Sequence, residues 1–310
     1  MAKTALKEMT NVQTTRDFLD ISDLDKFSLR QILNKAKELK QLQKTSGHAK
    51  FLEGKQLAMI FEKNSTRTRV SFEVGINQLG GNAIFISSKD SQIGRGEPIV
   101  DTANVLSRYC DMIMIRTFSH ENLQQLAAHS SVPVINGLTD YSHPCQILAD
   151  IQTIEEHLGN IEGKIIAWFG DFNNVCRSWI HAAESLGFEL RISTPKKYIE
   201  GLTESQFVKY FENPQDAAKN ADVITTDTWV SMGDEIETDK KKKALKPYQV
   251  NKELCKNAKE NFIFLHCLPA HRGEEVTAEI IDGKNSVIYD EAENRLHAQK
   301  AVMLWCCGVI

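Results

Sequence analysis

Between positions 64 and 69 the chain reads Asn-Ser-Thr-Arg-Thr-Arg, after the apolar run Gln56–Phe61 and before Val70-Ser71-Phe72-Glu73. A strand, a turn of hydroxyls and guanidiniums and then a helix make an anion cradle. The first N–H groups of a helix lack intrahelical partners and sit at the positive end of its dipole, where phosphate oxygens are held. Ser65, Thr66 and Thr68 add hydroxyl donors, and Arg67 and Arg69 add planar, permanent charge. The segment fits a small, doubly charged phosphate ligand. A plain Ser/Thr helix cap beside solvated arginines is the alternative, and the repeated hydroxyl-arginine pairing weighs against it.

Other constellations place polar groups at the ends of apolar runs. His143-Pro144-Cys145-Gln146 precedes a long helical pattern, and His and Gln one turn apart can offer two donors to one carbonyl. A capping histidine would fit the same spacing. Arg116 closes Met112–Ile115, either aimed into a cleft to stabilise an oxyanion or simply solvated. Asp227 closes Val223–Thr226 and leads into Thr228-Trp229-Val230-Ser231-Met232-Gly233. A carboxylate for an amine with a covering loop, and a helix cap with its loop, both fit there. His266-Cys267-Leu268-Pro269 closes Phe262–Leu265; the thiol is either a nucleophile or an orienting group. Pro269 suggests a sharp turn, cis in one reading, that aims the Leu268 carbonyl at the cleft. Arg295 opens a late helix and offers a further phosphate or carbonyl contact.

These residues need elements to hold them. Strand-like runs, among them Gln56–Phe61, Met112–Ile115, Lys164–Phe169, Val223–Thr226 and Val287–Tyr289, alternate with helical patterns such as Asp23–Lys44, Val70–Leu79 and Ser178–Leu186. Short apolar strands between amphipathic helices predict parallel sheets covered on both faces. At 310 residues the chain has room for two doubly wound parallel-sheet α/β domains. Gln146–Leu158 holds neither Gly nor Pro and reads as a stiff interdomain helix; Ala292–Cys307 reads as a second helix, amphipathic. The expected division is 1–146, completed by 292–310, and 147–291. Each constellation falls at the carboxyl end of a run, where open α/β sheets bind ligands.

Composition closes off other classes. Hydrophobic residues at 42% and charged residues at 25% argue against a disordered or fibrous chain. No apolar run reaches bilayer length, so the expected compartment is the cytoplasm. A net charge of −4 leaves no footprint for nucleic acid. Seven cysteines without a CxxC pair give no support to zinc or redox motifs. Gly159–Lys164 is too short for a P-loop, and Gly170–Asn174 lacks the later glycines of a dinucleotide turn.

Taken together, Ser65-Thr66-Arg67-Thr68-Arg69, His143-Pro144-x-Gln146, Asp227-x-x-x-Ser231-Met232-Gly233 and His266-Cys267-Leu268-Pro269 resemble the ornithine carbamoyltransferases. The likeness runs from Phe61 to the last helix, in the family's order. The first two motifs belong to carbamoyltransferases generally, the last two to the ornithine branch. The resemblance implies carbamoyl transfer from carbamoyl phosphate to the side-chain amine of ornithine, in arginine biosynthesis or catabolism, with no metal or organic cofactor. It implies that Ser65, Thr66, Arg67, Thr68, Arg116 and Arg295 bind carbamoyl phosphate. His143 and Gln146 would meet its carbamoyl end, with Cys267 and Leu268 at the reacting end. Asn174, Asp227, Ser231 and Met232 match ornithine-binding positions, and Arg116, His143 and Cys267 would be catalytic. Gln92 matches a residue that enters a neighbouring subunit's site, which implies a homotrimer or a multiple of one. Phe172 departs from the pattern, where Gly is common, and puts only the local turn in question.

Overall fold

In the computed structural model, which describes residues 16–230 and 238–310, the strands form two sheets with every pairing parallel. The first has the order β2-β1-β3-β4, with β1 (Gln56–Phe61), β2 (Asn82–Ser87), β3 (Met112–Arg116) and β4 (Val134–Leu138). The second has the order β7-β6-β5-β8-β9, with β5 (Ile165–Phe169), β6 (Glu189–Ser193), β7 (Val208–Tyr210), β8 (Val223–Thr226) and β9 (Ile263–His266). Before β1 comes α1 (Lys26–Thr45); α2 (Thr66–Gln78), α3 (Ile99–Leu106) and α4 (His120–His129) link the strands of the first sheet. Then α5 (Pro144–Leu158) leads to the second sheet, whose connections hold α6 (Asn174–Leu186), α7 (Pro214–Ala218), α8 (Thr238–Leu245) and α9 (Lys252–Cys255). After β9 come α10 (Ala278–Ile281) and α11 (Ile288–Cys306).

Strands β3, β4 and β8 are buried along their whole length, as expected of strands covered on both faces. The edge strand β2 differs, with Ile84 and Phe85 exposed. Strand β7, three residues of mixed polarity at the far edge, has no counterpart in the sequence reading.

The C-terminal helix departs most from expectation. Val287–Tyr289 is not a strand: α11 already begins at Ile288, and only Ser286 bridges to Phe264. Nor is α11 amphipathic, because it packs against α1, α2 and α5 together and buries Glu291, Asn294, Arg295, His297 and Lys300 with its apolar residues. Several of these find partners across the helix interfaces. Lys40 Nζ donates to Asn294 Oδ1 at 2.7 Å and Lys300 Nζ to Gln78 Oε1 at 2.9 Å.

In the first sheet the chain leaves β1 toward β2, then crosses back beyond β1 to β3. The carboxyl ends of β1 and β3 thus flank a topological switch point, and β5 and β8 flank another in the second sheet.

Candidate active site

Both switch points open onto one cleft of about 860 Å³. On the first side Ser65, in extended backbone, caps α2, and its hydroxyl accepts the Thr68 N–H at 3.2 Å. Helix α2 therefore starts at Thr66, ahead of the Val70 that marked it in the sequence. The fully buried Thr68 is a hub: its Oγ1 accepts Arg295 Nη2 at 2.7 Å and Arg116 Nη1 at 3.3 Å, and lies 3.1 Å from Ser65 Oγ. The β3–β4 register shifts between Ile115 and Arg116 by one extra residue on β4, while β3 keeps its register with β1 through Arg116. Gly137 lies within that shift, and a Cβ there would stand 2.5 Å from the Met114 sulfur. Arg67 Nη2 donates to the Leu268 carbonyl at 2.5 Å, tying the cradle to the second sheet. The Leu268-Pro269 peptide is cis.

These guanidiniums repel one another in a dry corner. Burial, then Arg295, pushes Arg116 down to about 10. Burial also lowers Arg295, with Arg67 adding repulsion. The Nε atoms of Arg67, Arg116 and Arg295 have no partner among the described residues. Such a cluster selects a multiply charged anion, which relieves the repulsion and supplies the missing acceptors.

His143 occupies the N-cap position of α5, with Pro144 next and its own N–H donated to Ser178 Oγ at 2.8 Å. Burial, then the charges of Arg295 and Arg116, holds its pKa well below the usual 6.5. The imidazole is therefore neutral, a hydrogen-bonding group and not a cation. Gln146 does not join it in lining the cleft. Its Nε2 turns instead to Asp150 Oδ1 at 2.8 Å and Glu291 Oε1 at 2.9 Å.

The second side is built on a residue that the sequence reading passed over. Asn173 caps α6, its Oδ1 accepting the Val175 and Cys176 N–H groups at 3.0 and 3.1 Å. Its Nδ2 donates to Asp227 Oδ2 at 2.7 Å. The other oxygen of Asp227 accepts the Thr228 N–H at 2.8 Å and the Cys267 thiol at 3.2 Å. Burial, then the Asp227 charge, raises Cys267 well above the ordinary thiol range. Of the two roles open to it, the neutral thiol fits an orienting donor and not a nucleophile. Asn174 Nδ2 donates to Thr139 O at 2.6 Å, bridging the two sheets.

Other cleft-lining groups carried no sequence signal of their own. Lys63 pairs with Asp140 while its ammonium sits 4.4 Å from the Phe118 ring centroid, and Lys241 pairs with Asp171 at 2.8 Å. Phe172 lines the cleft with the Arg177 guanidinium 5.5 Å from its ring. Thr66, Leu268 and Arg295 also face the cleft. Gln92 does not: it is exposed, in the segment after β2. Ser231 and Met232 fall in 231–237, outside the described residues.

Residues 16–156 match the family model described as "Aspartate/ornithine carbamoyltransferase, carbamoyl-P binding domain", and residues 162–306 match its "Asp/Orn binding domain". The ornithine carbamoyltransferase of Hydrogenovibrio crunogenus is 54% identical over 93% of this chain and 97% of its own length. That of Carboxydothermus hydrogenoformans is 53% identical over 94% and 98%. Among solved structures, the Pyrococcus furiosus ornithine carbamoyltransferase superposes with a TM-score of 0.90 at 47% identity, covering 96% of this chain and 98% of that one. The enzyme from Burkholderia thailandensis gives 0.87 at 48% identity, covering 94% and 98%.

Proposed function

The chain belongs to the aspartate/ornithine carbamoyltransferase family, and from that premise we infer that it carries the carbamoyl group of carbamoyl phosphate to the side-chain amine of L-ornithine, releasing L-citrulline and phosphate. One observation carries the assignment to this cleft. A cluster of buried arginines at one switch point faces a carboxylate–thiol pair at the other, across a single cavity.

The chemistry follows from that arrangement. Ser65, Thr66, Arg67, Thr68, Arg116 and Arg295 hold the phosphate and make it a better leaving group. Thr68, Arg116 and neutral His143 polarise the carbamoyl oxygen, where negative charge develops. Leu268 serves the carbamoyl amide, and Gln146 is assigned to the same amide by resemblance to the family although it does not line the cleft. Asp227, oriented by Asn173, and Cys267 align the amine, with Asn174, Ser231 and Met232 completing the ornithine site. The attacking amine must first lose its proton. The tetrahedral intermediate then expels phosphate, whose oxygen accepts the remaining amine proton. No step needs a group beyond the two substrates, and the rate gain comes from positioning and electrostatics. We divide the chain into a carbamoyl-phosphate domain, 1–146 with 292–310, and an ornithine domain, 147–291. Citrulline formation by the purified protein, with aspartate and putrescine as competing acceptors, tests the reading; no citrulline, or faster carbamoylation of another amine, sinks it.

A homotrimer, alone or multiplied, is the assembly that best explains Gln92. It is exposed, and so are the apolar side chains of Val70 and Val74 on α2 and of Ile84 and Phe85 on β2 in the single chain. Mixing Gln92→Ala chains with Arg116→Ala chains should restore activity through hybrid sites; a fully active monomer would exclude it. All seven cysteines are free thiols, and no helix among the described residues is long and apolar enough to cross a membrane. The free thiols suit a reducing compartment, and we place the reaction in the cytoplasm.

A further inference from the structure

Behind the cleft wall, where α5 and α11 cross, two carboxylates meet out of water. Asp150 is 2% exposed and Glu291 1%, and they lie within hydrogen-bonding reach of each other. Two carboxylate anions held this close and out of water repel, and a proton held between them removes the repulsion. The remaining oxygens are all used by the site. Gln146 Nε2 donates to both carboxyls, at 2.8 and 2.9 Å, and the His266 N–H donates to Glu291 Oε2 at 2.8 Å. The pair thus touches the element that carries His143 and the strand end that carries Cys267.

We propose that Asp150 and Glu291 share one proton and act as a positioning pair for the reaction. Held between two acceptors, the Gln146 amide has only one stable orientation, with its NH₂ toward the carboxyls. Its Oε1, buried and without a partner among the described residues, is left as an acceptor for an amide N–H. That last role rests on the carbamoyl-transfer reading; the shared proton does not. The charged and titratable groups facing the pair are Arg295 from α11, Asp227 from the end of β8, and Cys267 beyond β9. Arg295 favours one negative charge on the pair, while Asp227 opposes a second. Burial comes first among the causes that raise both carboxyls, Asp150 to about 7. The proton belongs to the pair and to neither residue alone.

The two single amide variants should behave differently. In Asp150→Asn the new amide can donate to Glu291 in place of the proton, while its oxygen still accepts from Gln146. In Glu291→Gln a single oxygen must serve Gln146 and the His266 N–H together, and one donor loses its acceptor. The test begins with the infrared carbonyl stretch of a neutral carboxylic acid in the intact wild-type protein, near neutral pH, where ordinary carboxyls are ionised. We expect the band in wild type and its loss in both variants, with no variant needed for the first half. Glu291→Gln should lose about tenfold or more in kcat/KM for carbamoyl phosphate, and Asp150→Asn should lose several-fold less than that. Thermal stability gives a second readout. Two raised carboxyls make the native state bind more protons than the unfolded chain, so their contribution is full at low pH and fades as pH climbs through about 7. Asp150→Asn should flatten that slope. An absent band in wild type, or equal losses in both variants with an unchanged pH slope, would overturn the pair. A wild type that shows the band yet forms no citrulline would sink the reaction assignment and leave the pair standing.

Discussion

The two walls of the cleft are built on opposite principles. The arginine wall is nearly dry and self-bonded: Thr68, Arg116, His143 and Arg295 are at most 8% exposed, and Thr68 fixes two guanidiniums before any ligand arrives. The carboxylate wall is looser, with Asn173, Asn174, Asp227 and Cys267 all half-buried. A strained cluster of like charges is a binding site prepared in advance, because the anion relieves repulsion already present. A half-exposed carboxylate gains strength only when something covers it and lowers the local dielectric. The contrast argues for ordered binding, with carbamoyl phosphate first and ornithine second.

The sharpest break would come at the dry wall. Arg116→Ala should cost about 3 kcal/mol of transition-state stabilisation, roughly 150-fold in kcat/KM for carbamoyl phosphate. The same change relieves repulsion in the empty protein, so the melting temperature should hold or rise. A large fall in melting temperature with modest kinetic loss would show that the cluster serves folding and not the ligand.

At the looser wall the losses should be smaller and confined to the amine. Asp227→Asn leaves one oxygen to serve Asn173, Thr228 and Cys267, and should lose about 2 kcal/mol, near 30-fold, in kcat/KM for ornithine. Carbamoyl phosphate affinity measured by calorimetry should stay within about twofold. If both substrates suffer equally, the walls are not separate. Cys267→Ala removes only a neutral donor and should cost about 1 kcal/mol, read mainly in the ornithine KM.

The least effect is expected from protonating His143. Its pKa is depressed, so the neutral ring persists as pH falls through the usual histidine range near 6.5. Between about pH 6 and 8, kcat/KM for ornithine should rise with pH because only the free amine attacks, its ordinary pKa being about 10.4 for a lysine-like group. A separate acid limb near 6.5 that vanishes in His143→Asn would show the histidine to be charged.

Much of this was legible in the chain because chemistry and sheet topology coincide. Ser65, Arg116, Asp227 and Cys267 all fall where an apolar strand stops, and the structure puts all four on the cleft. What escaped had no local signature. Gln146 shares a helix start with His143, but its direction is set jointly by Asp150 and by Glu291, the latter far away in sequence. The polar residues of α11 read as an exposed face, although three packed helices surround them. Strand β7 is too short and too polar to declare itself before it pairs with β6. Asn173 lay inside a segment tested only as a nucleotide-binding turn. Its capping role appears once Val175 and Cys176 are seen to begin a helix.

Helix α11 has one more consequence, for the order in which the molecule comes into being. It follows every strand of both sheets, yet it packs on α1 and α2 and delivers Arg295 to Thr68. A ribosome that has finished the first sheet has therefore not finished its cradle. Until α11 emerges, the faces of α1, α2 and α5 that it covers stay open to water and to chaperones. The nascent first half should hold its strands but bind no carbamoyl phosphate, and competence should arrive in one late step when the returning helix docks.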